Sequence, residues 1–313
     1  MITTPTTFVI GAGASKDYGL PTSAELRAKA HSLKPSDTAY KLIYQAQLCT
    51  PEQLNTALDD LRNQGTSSID EFLFARQDDL LTMEVGRALI ALLLGSRFSV
   101  VRSIDALRGS PQDWLGYIID KMQSGAPNCK AFVEGNTQVR FVTFNFDSII
   151  EDRFEKAIRN LYRPSEAHLQ EAVNVIHGQI IHVHGKLTPP PLDEFACSYG
   201  WLDWLRSATS EIRVVMDDID PDILADAQNA VKRSEVLCFL GFAYARDNLE
   251  KLDLPKARDH GIGGKPVVRH IFGTAFGMRP GETAPVKNML LAVLGGEKEH
   301  CIDFLRNHHI FRG

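Results

Sequence analysis

Four short apolar runs along the chain are typical of buried strands. They cover residues 8–10, 139–144, 236–242 and 267–272. Continuous runs of this kind, bounded by glycine or polar turns, predict strands of a parallel sheet whose two faces are both covered. In a fifth segment, Ile181 and Val183 alternate with His182 and His184, which predicts a short strand with both histidines on one face.

Helical spacing of apolar residues dominates the region between the first two runs, roughly residues 25–123. One helix there is predicted to be opened by Ser67-Ser68, with Asp70 and Glu71 in its first turn. Further helices are predicted at residues 221–234, 286–294 and 298–307. The alternation predicts an α/β fold, a Rossmann-like doubly wound parallel sheet with a large helical insertion. The predicted sheet domain comprises residues 1–30 plus 130–313, and the insertion comprises residues 31–129.

The composition excludes few classes of protein, but it indicates which partners and which cellular compartment to expect. The chain has 313 residues and a net charge of −5, which favours neither nucleic acid nor an anionic membrane as a partner. Its five cysteines include no C-x-x-C pair, which argues against a disulfide framework or a thiolate zinc site. No signal-peptide pattern is present and the longest apolar run, residues 88–94, is too short to span a bilayer. We expect a cytoplasmic protein.

A glycine turn follows the first strand, in the run Gly11-Ala12-Gly13-Ala14-Ser15. Such a turn, leading into a helix that begins near Ser15 or later near Ser23, brings backbone N–H groups close to a phosphate. Lys16 occupies the place of the third glycine in the usual dinucleotide fingerprint. The alternative interpretation is a tight turn that serves packing only.

Asn145 and Asp147 follow the predicted strand at residues 139–144. Ligands of open α/β sheets bind at the carboxyl ends of the strands, which makes both residues candidates for a site. Either residue could instead cap the turn and the helix that follows, a role that both residue types perform well.

Three histidines surround the short predicted strand. His184 precedes Gly185 at the end of the strand, a position suited to acid–base chemistry because imidazole titrates near neutral pH. His177 and His182 are interpreted as structural. No third ligand lies near His182 and His184 in the sequence, so we expect no metal site.

Taken together, these motifs resemble the sirtuin superfamily. Four motifs follow one another in the family's order. They are Gly-Ala-Gly-Ala-Ser with Gly-Leu-Pro, Thr-Phe-Asn-Phe-Asp at residues 143–147, His184-Gly185, and Leu-Gly-Phe at residues 240–242. The chain is most similar to the SIR2-like branch, the NAD-consuming domains of bacterial anti-phage defence systems. The resemblance covers about residues 5–30 and 138–275 and does not include the predicted insertion.

The resemblance implies a role for each matching residue. Asn145 would position the attacking water beside the nicotinamide ribose, Asp147 would hold the nicotinamide carboxamide, and His184 would be the catalytic histidine. NAD would be the substrate, and its pyrophosphate, riboses and adenosine would be bound by Gly11, Ala12, Gly13, Ser15, Pro21, Gly241 and Phe242.

The sequence also departs from the protein-deacylating sirtuins. The two zinc C-x-x-C pairs are absent, Phe144 stands where a glutamine usually precedes the asparagine, and Thr-Pro-Pro-Pro follows His184 in place of the acyl-lysine channel segment. Water is therefore the expected acceptor, and the expected reaction is hydrolysis of NAD⁺ to ADP-ribose and nicotinamide. The alternatives are an NAD-dependent deacylase or ADP-ribosyltransferase, and a non-catalytic nucleotide-binding regulatory module.

Partners follow from the resemblance alone. An activity that depletes NAD⁺ must be held off at rest, so a homo-oligomer or a partner protein is expected to control it. In the resembling branch such partners include a HerA-type ATPase, a short Argonaute or another sensor.

Overall fold

A computed structural model describes residues 1–66, 68–101, 112–191, 199–214, 219–254 and 270–311. The strands are β1 (Thr6–Ile10), β2 (Val139–Thr143), β3 (Ile180–His182), β4 (Val236–Leu240), β5 (His270–Gly273) and β6 (Val293–Leu294). The helices are α1 (Ala12–Lys16), α2 (Ser23–Ser32), α3 (Thr38–Gln45), α4 (Pro51–Asn63), α5 (Ile69–Phe74), α6 (Leu80–Val101), α7 (Trp114–Gln123), α8 (Cys129–Gly135), α9 (Ile149–Tyr162), α10 (Glu166–His177), α11 (Tyr199–Glu211), α12 (Pro221–Lys232), α13 (Arg246–Lys251), α14 (Pro280–Leu290) and α15 (Cys301–Asn307).

The six strands form one parallel sheet in the order β3-β2-β1-β4-β5-β6. This is a Rossmann-like strand order, in which the direction of winding reverses between β1 and β4. The prediction of an α/β fold with a parallel sheet is confirmed. Both edge strands are short, with three residues in β3 and two in β6.

Apolar side chains on both faces explain why the central strands form. All five residues of β1 and all five of β4 are buried. On one face the ring of Phe8 stacks on Phe141 of β2 at 5.3 Å, and Phe141 meets Phe154 of α9 edge-on at 5.5 Å. Burial of apolar side chains on both faces is typical of a strand that lies between two helical layers.

The chain divides into two compact units. The first comprises Met1–Tyr18, Ile104–Val183 and Asp220–Gly313 and contains the sheet; the second comprises Gly19–Ser103 and His184–Ile219. The insertion bounds of 31–129 stay a prediction.

The second unit is helical in its described residues. Helix α6 is its central element and contacts α2, α3, α4, α5 and α11. The contact with α11 is close, because a Cβ added at Gly95 would lie 2.2 Å from Cη2 of Trp204. Helix α5 begins where the sequence predicts, since the Ser68 side chain accepts a hydrogen bond from the N–H of Glu71.

Some sequence predictions need correction. Strand β3 ends at His182, so His184 lies beyond the strand and the two histidines do not share a strand face. The chain turns there at Gly185, whose φ is +86°. The helix predicted at residues 286–294 ends at Leu290, and Val293–Leu294 form β6 instead. Residues 267–269 of the last predicted run lie outside the described residues.

No helix in the described part of the chain combines the length and the apolar character needed to cross a bilayer.

The four described cysteines, Cys49, Cys129, Cys238 and Cys301, carry free thiols, and Cys197 lies outside the described residues. Burial raises the pKa of Cys238 well above its ordinary value. A thiol in this state is a core side chain rather than a nucleophile.

Candidate functional site

The carboxyl ends of three central strands lie level with one another. Ile10 at the end of β1 pairs with Thr143 of β2 on one side and with Leu240 of β4 on the other. The loops that follow therefore leave the sheet at one edge. This edge includes the point between β1 and β4 where the winding reverses, which is where ligands of such sheets bind.

The glycine turn after β1 packs directly on the loop after β4. The N–H of Gly13 donates to the carbonyl of Gly241 at 2.9 Å. A Cβ added at Gly11 would lie 2.6 Å from that same carbonyl oxygen. Close packing of two backbones is thus sufficient reason for glycine at both positions. Contact with phosphate, the other interpretation of this turn, stays a prediction, as does the role of Ala12, the first residue of α1.

Gly241 is the most constrained of these glycines. Its φ is +58°, and an added Cβ would lie 1.9 Å from the backbone N of Ala14. We expect Gly241→Ala to lower the free energy of unfolding by about 3 kcal/mol, because overpacking and a left-handed backbone conformation each cost about 1–3 kcal/mol. Chemical denaturation monitored by circular dichroism measures this loss. Gly281→Ala is the matched control, since nothing lies within 4 Å of its Cβ position, and an equal loss there would contradict the packing account.

Asn145 is anchored by its amide group. Its Nδ2 donates to the carbonyl of Gly11 at 3.0 Å and to Oγ of Ser15 at 2.8 Å. A carbonyl oxygen can only accept, so the atom facing Gly11 is the nitrogen and the orientation of the amide is determined. Both amide hydrogens are used, while Oδ1 has no hydrogen-bond donor in the described part of the chain.

Asp147 completes a chain of hydrogen bonds. Oγ of Ser15 accepts from Asn145 and donates to Oδ2 of Asp147 at 2.7 Å. Oδ1 of Asp147 accepts from the N–H of Ile149 at 3.2 Å, which is the capping role that the sequence left open. Burial raises the pKa of Asp147 above its ordinary value, while the hydrogen bonds from Ser15 and Ile149 oppose that rise.

Aromatic residues cover the same edge of the sheet. The ring of Phe242 meets Phe144 edge-on at 5.2 Å and Tyr244 at 5.7 Å. Phe144 therefore packs on the loop after β4. The N–H of Gly241 donates to Oγ1 of Thr274 at 2.8 Å, which fixes this loop to the end of β5.

His182, interpreted as structural from the sequence, contacts the Asn145 backbone. Its Nδ1 lies 3.2 Å from the carbonyl oxygen of Asn145, and its Nε2 lies 2.8 Å from Oε1 of Glu151. Glu151 is in the first turn of α9 and only 5% exposed. The signal in the sequence was a polar ring at the end of a short apolar strand, but its partner was 31 residues away.

Two predicted site residues belong to the helical unit. His184 is 5% exposed, and its carbonyl accepts from the N–H of Arg213 at 3.2 Å. Pro21 is buried immediately before Thr22, which caps α2. The predicted approach of His184 to Asn145 stays a prediction. The sheet unit itself brings together Gly11, Gly13, Ser15, Asn145, Asp147, Gly241 and Phe242.

In the part of the chain that the structure describes, no group of three or more histidine, cysteine, aspartate or glutamate side chains has a geometry that could hold a metal ion. No protein-family model matches the chain, and no curated protein matches it.

Proposed function

We propose that this chain is an NAD⁺ glycohydrolase, which cleaves NAD⁺ to ADP-ribose and nicotinamide with water as the acceptor. Asn145 orients the water, His184 accepts its proton and Asp147 binds the nicotinamide carboxamide. The turn at Gly11–Gly13, with Ser15, Pro21, Gly241 and Phe242, binds the rest of the nucleotide.

The orientation of the Asn145 amide is the observation that carries this proposal. Gly11 and Ser15 use both of its hydrogens, which leaves Oδ1 as the atom able to accept a hydrogen bond from a ligand. A fixed acceptor at the carboxyl edge of the sheet can hold a water or a ribose hydroxyl in one position. An asparagine that served only as a cap would not need this arrangement.

The chemistry suits a neutral amide. The bond from ribose to a positively charged pyridinium breaks through a state that resembles an oxocarbenium ion, so the leaving group needs little protonation. An amide oxygen orients water without forming a bond to the cation. The carboxylate of Asp147 accepts from Ser15 and Ile149 and retains lone pairs for the N–H groups of a carboxamide.

Incubation of the purified chain with NAD⁺, followed by chromatography of the products, tests the proposal. Release of both ADP-ribose and nicotinamide without any acyl peptide or protein acceptor is expected, and it would separate hydrolysis from deacylation and ADP-ribosyl transfer. Binding of NAD⁺ without turnover, with or without the protein of a neighbouring gene, would contradict the proposal and favour a regulatory nucleotide-binding module. The self-contained hydrogen bonds of Asn145, Ser15 and Asp147 are compatible with that second function.

The biological role is proposed from the resemblance to SIR2-like domains. In this role the chain acts in the cytoplasm as the effector of an anti-phage defence system and depletes NAD⁺ when it is activated. Self-assembly or a partner such as a HerA-type ATPase, a short Argonaute or another sensor controls it. Residues 31–129 form a helical insertion in the Rossmann-like domain in this proposal.

A further inference from the structure

His182 lies between a backbone carbonyl and a carboxylate. Its Nδ1 is 3.2 Å from the carbonyl oxygen of Asn145, and its Nε2 is 2.8 Å from Oε1 of Glu151. The two side chains are enclosed, with 12% of the His182 side chain and 6% of the Glu151 side chain exposed. Both contacts are therefore shielded from competition by water.

The two partners determine where protons must be. A carbonyl oxygen can only accept, so Nδ1 of His182 carries a hydrogen and donates it to Asn145. A second proton must then lie between Nε2 and Oε1 of Glu151, because two acceptors 2.8 Å apart would otherwise repel.

We propose that Glu151 and His182 form a positioning pair that sets the place of Asn145 for the cleavage of NAD⁺. This inference rests on the proposed function and adds two residues to its site. Glu151 orients the imidazole, and the imidazole holds the Asn145 carbonyl. Neither residue touches the substrate.

With this pair, Asn145 is held from three directions. Its side-chain amide donates to Gly11 and Ser15, its N–H donates to Oγ1 of Thr143 at 3.1 Å, and its carbonyl accepts from His182. Loss of the hydrogen bond from any one of these directions would let the amide shift. In catalysis, a misplacement of about 1 Å costs about 10²-fold in rate.

Two substitutions at His182 separate the two contacts. His182→Asn keeps a donor at the place of Nδ1, because the amide nitrogen of asparagine is also attached to Cγ. His182→Gln keeps a donor only at the place of Nε2, which faces Glu151. We expect His182→Asn to stay near the wild-type kcat, and His182→Gln to lower kcat at least about tenfold with the KM for NAD⁺ nearly unchanged.

Glu151 provides a second, independent pair of variants. Glu151→Gln can donate its amide hydrogen to Nε2 while His182 keeps the hydrogen on Nδ1, so kcat should stay near wild type. Glu151→Ala leaves the ring without a partner and should lower kcat as His182→Gln does. Equal losses in Glu151→Gln and Glu151→Ala, or a higher KM in place of a lower kcat, would overturn the positioning role.

A spectroscopic measurement separates this inference from the proposed function. Nitrogen NMR of the full chain with ¹⁵N-labelled histidine, assigned with His182→Asn, should show Nδ1 of His182 protonated. A deprotonated Nδ1 would overturn the pair whatever the enzymatic result. Absence of NAD⁺ turnover by the wild-type chain overturns the proposed function alone, and the NMR result then decides whether His182 holds Asn145.

Discussion

Asn145→Ala should lower kcat for NAD⁺ cleavage by at least about 10²-fold, because the reaction loses the group that positions its water. The substitution also removes the anchors on Gly11 and Ser15, so some loss of stability is expected. Binding of NAD⁺ should weaken much less than turnover, since most contacts to the nucleotide are assigned to other loops. Product chromatography for the rate, and the shift of the unfolding temperature with NAD⁺ for binding, measure the two effects separately.

Asn174→Ala is a matched control for this prediction. Asn174 is exposed on α10 of the same unit, and its Oδ1 accepts from Gln170 at 2.9 Å. Turnover should be unchanged in that variant.

His184→Ala should lower kcat about 10²–10⁴-fold if His184 is the general base. Wild-type turnover in the Asn145→Ala/His184→Ala double variant would exclude the assigned chemistry.

Asp113→Ala should lower the free energy of unfolding by about 3–5 kcal/mol, the range observed when one partner of a buried ion pair is removed. Asp113 accepts from Nη2 of Arg153 at 2.5 Å, from the hydroxyl of Tyr18 at 2.9 Å and from the N–H of Gly116 at 2.8 Å. Arg153 is only 11% exposed, so its charge would be left without compensation. Burial and the Asp113 charge raise the pKa of Tyr18 well above its ordinary value, which keeps its hydroxyl a donor.

Urea denaturation at neutral pH measures this loss of stability. Two further variants separate the contribution of the Asp113 charge from that of its burial. Asp113→Asn keeps an oxygen to cap α7 but loses the charge, so its loss of stability should be smaller. Glu250→Ala breaks an exposed pair with Arg246 on α13 and should leave stability near wild type, because exposed ion pairs contribute little. Similar losses for Asp113→Ala and Glu250→Ala would show that burial of the pair is not what matters.

The parts of the fold that depend on local patterns could be predicted from the sequence. The apolar runs containing β1, β2 and β4 were evident because a central parallel strand buries both faces. Ser68 marked the beginning of α5 because a hydroxyl there can accept from the third helical amide. The length of β3 could not be predicted, since the alternation of His182 and His184 continues past the point where Gly185 turns the chain.

The site depends on contacts between residues that are distant in the sequence, and these contacts were harder to predict. That Gly11 and Gly13 pack on Gly241 follows from the pairing of β1 with β4, which joins residues about 230 positions apart in the chain. Asn145 and Asp147 were identified from their place after a strand, but the direction of the Asn145 amide required its contact with the carbonyl of Gly11. The contact of His182 with Glu151 could not be predicted, because nothing in the neighbouring sequence indicates Glu151 as a partner.

The short outer strands restrict how copies of this chain can associate. In the described residues, a neighbour that added itself to the sheet would find the three residues of β3 at one edge and the two residues of β6 at the other. So little free backbone offers few hydrogen bonds to a second chain, and growth into fibres by strand addition is disfavoured. If self-assembly controls the activity proposed above, contacts other than strand addition would have to hold the copies together.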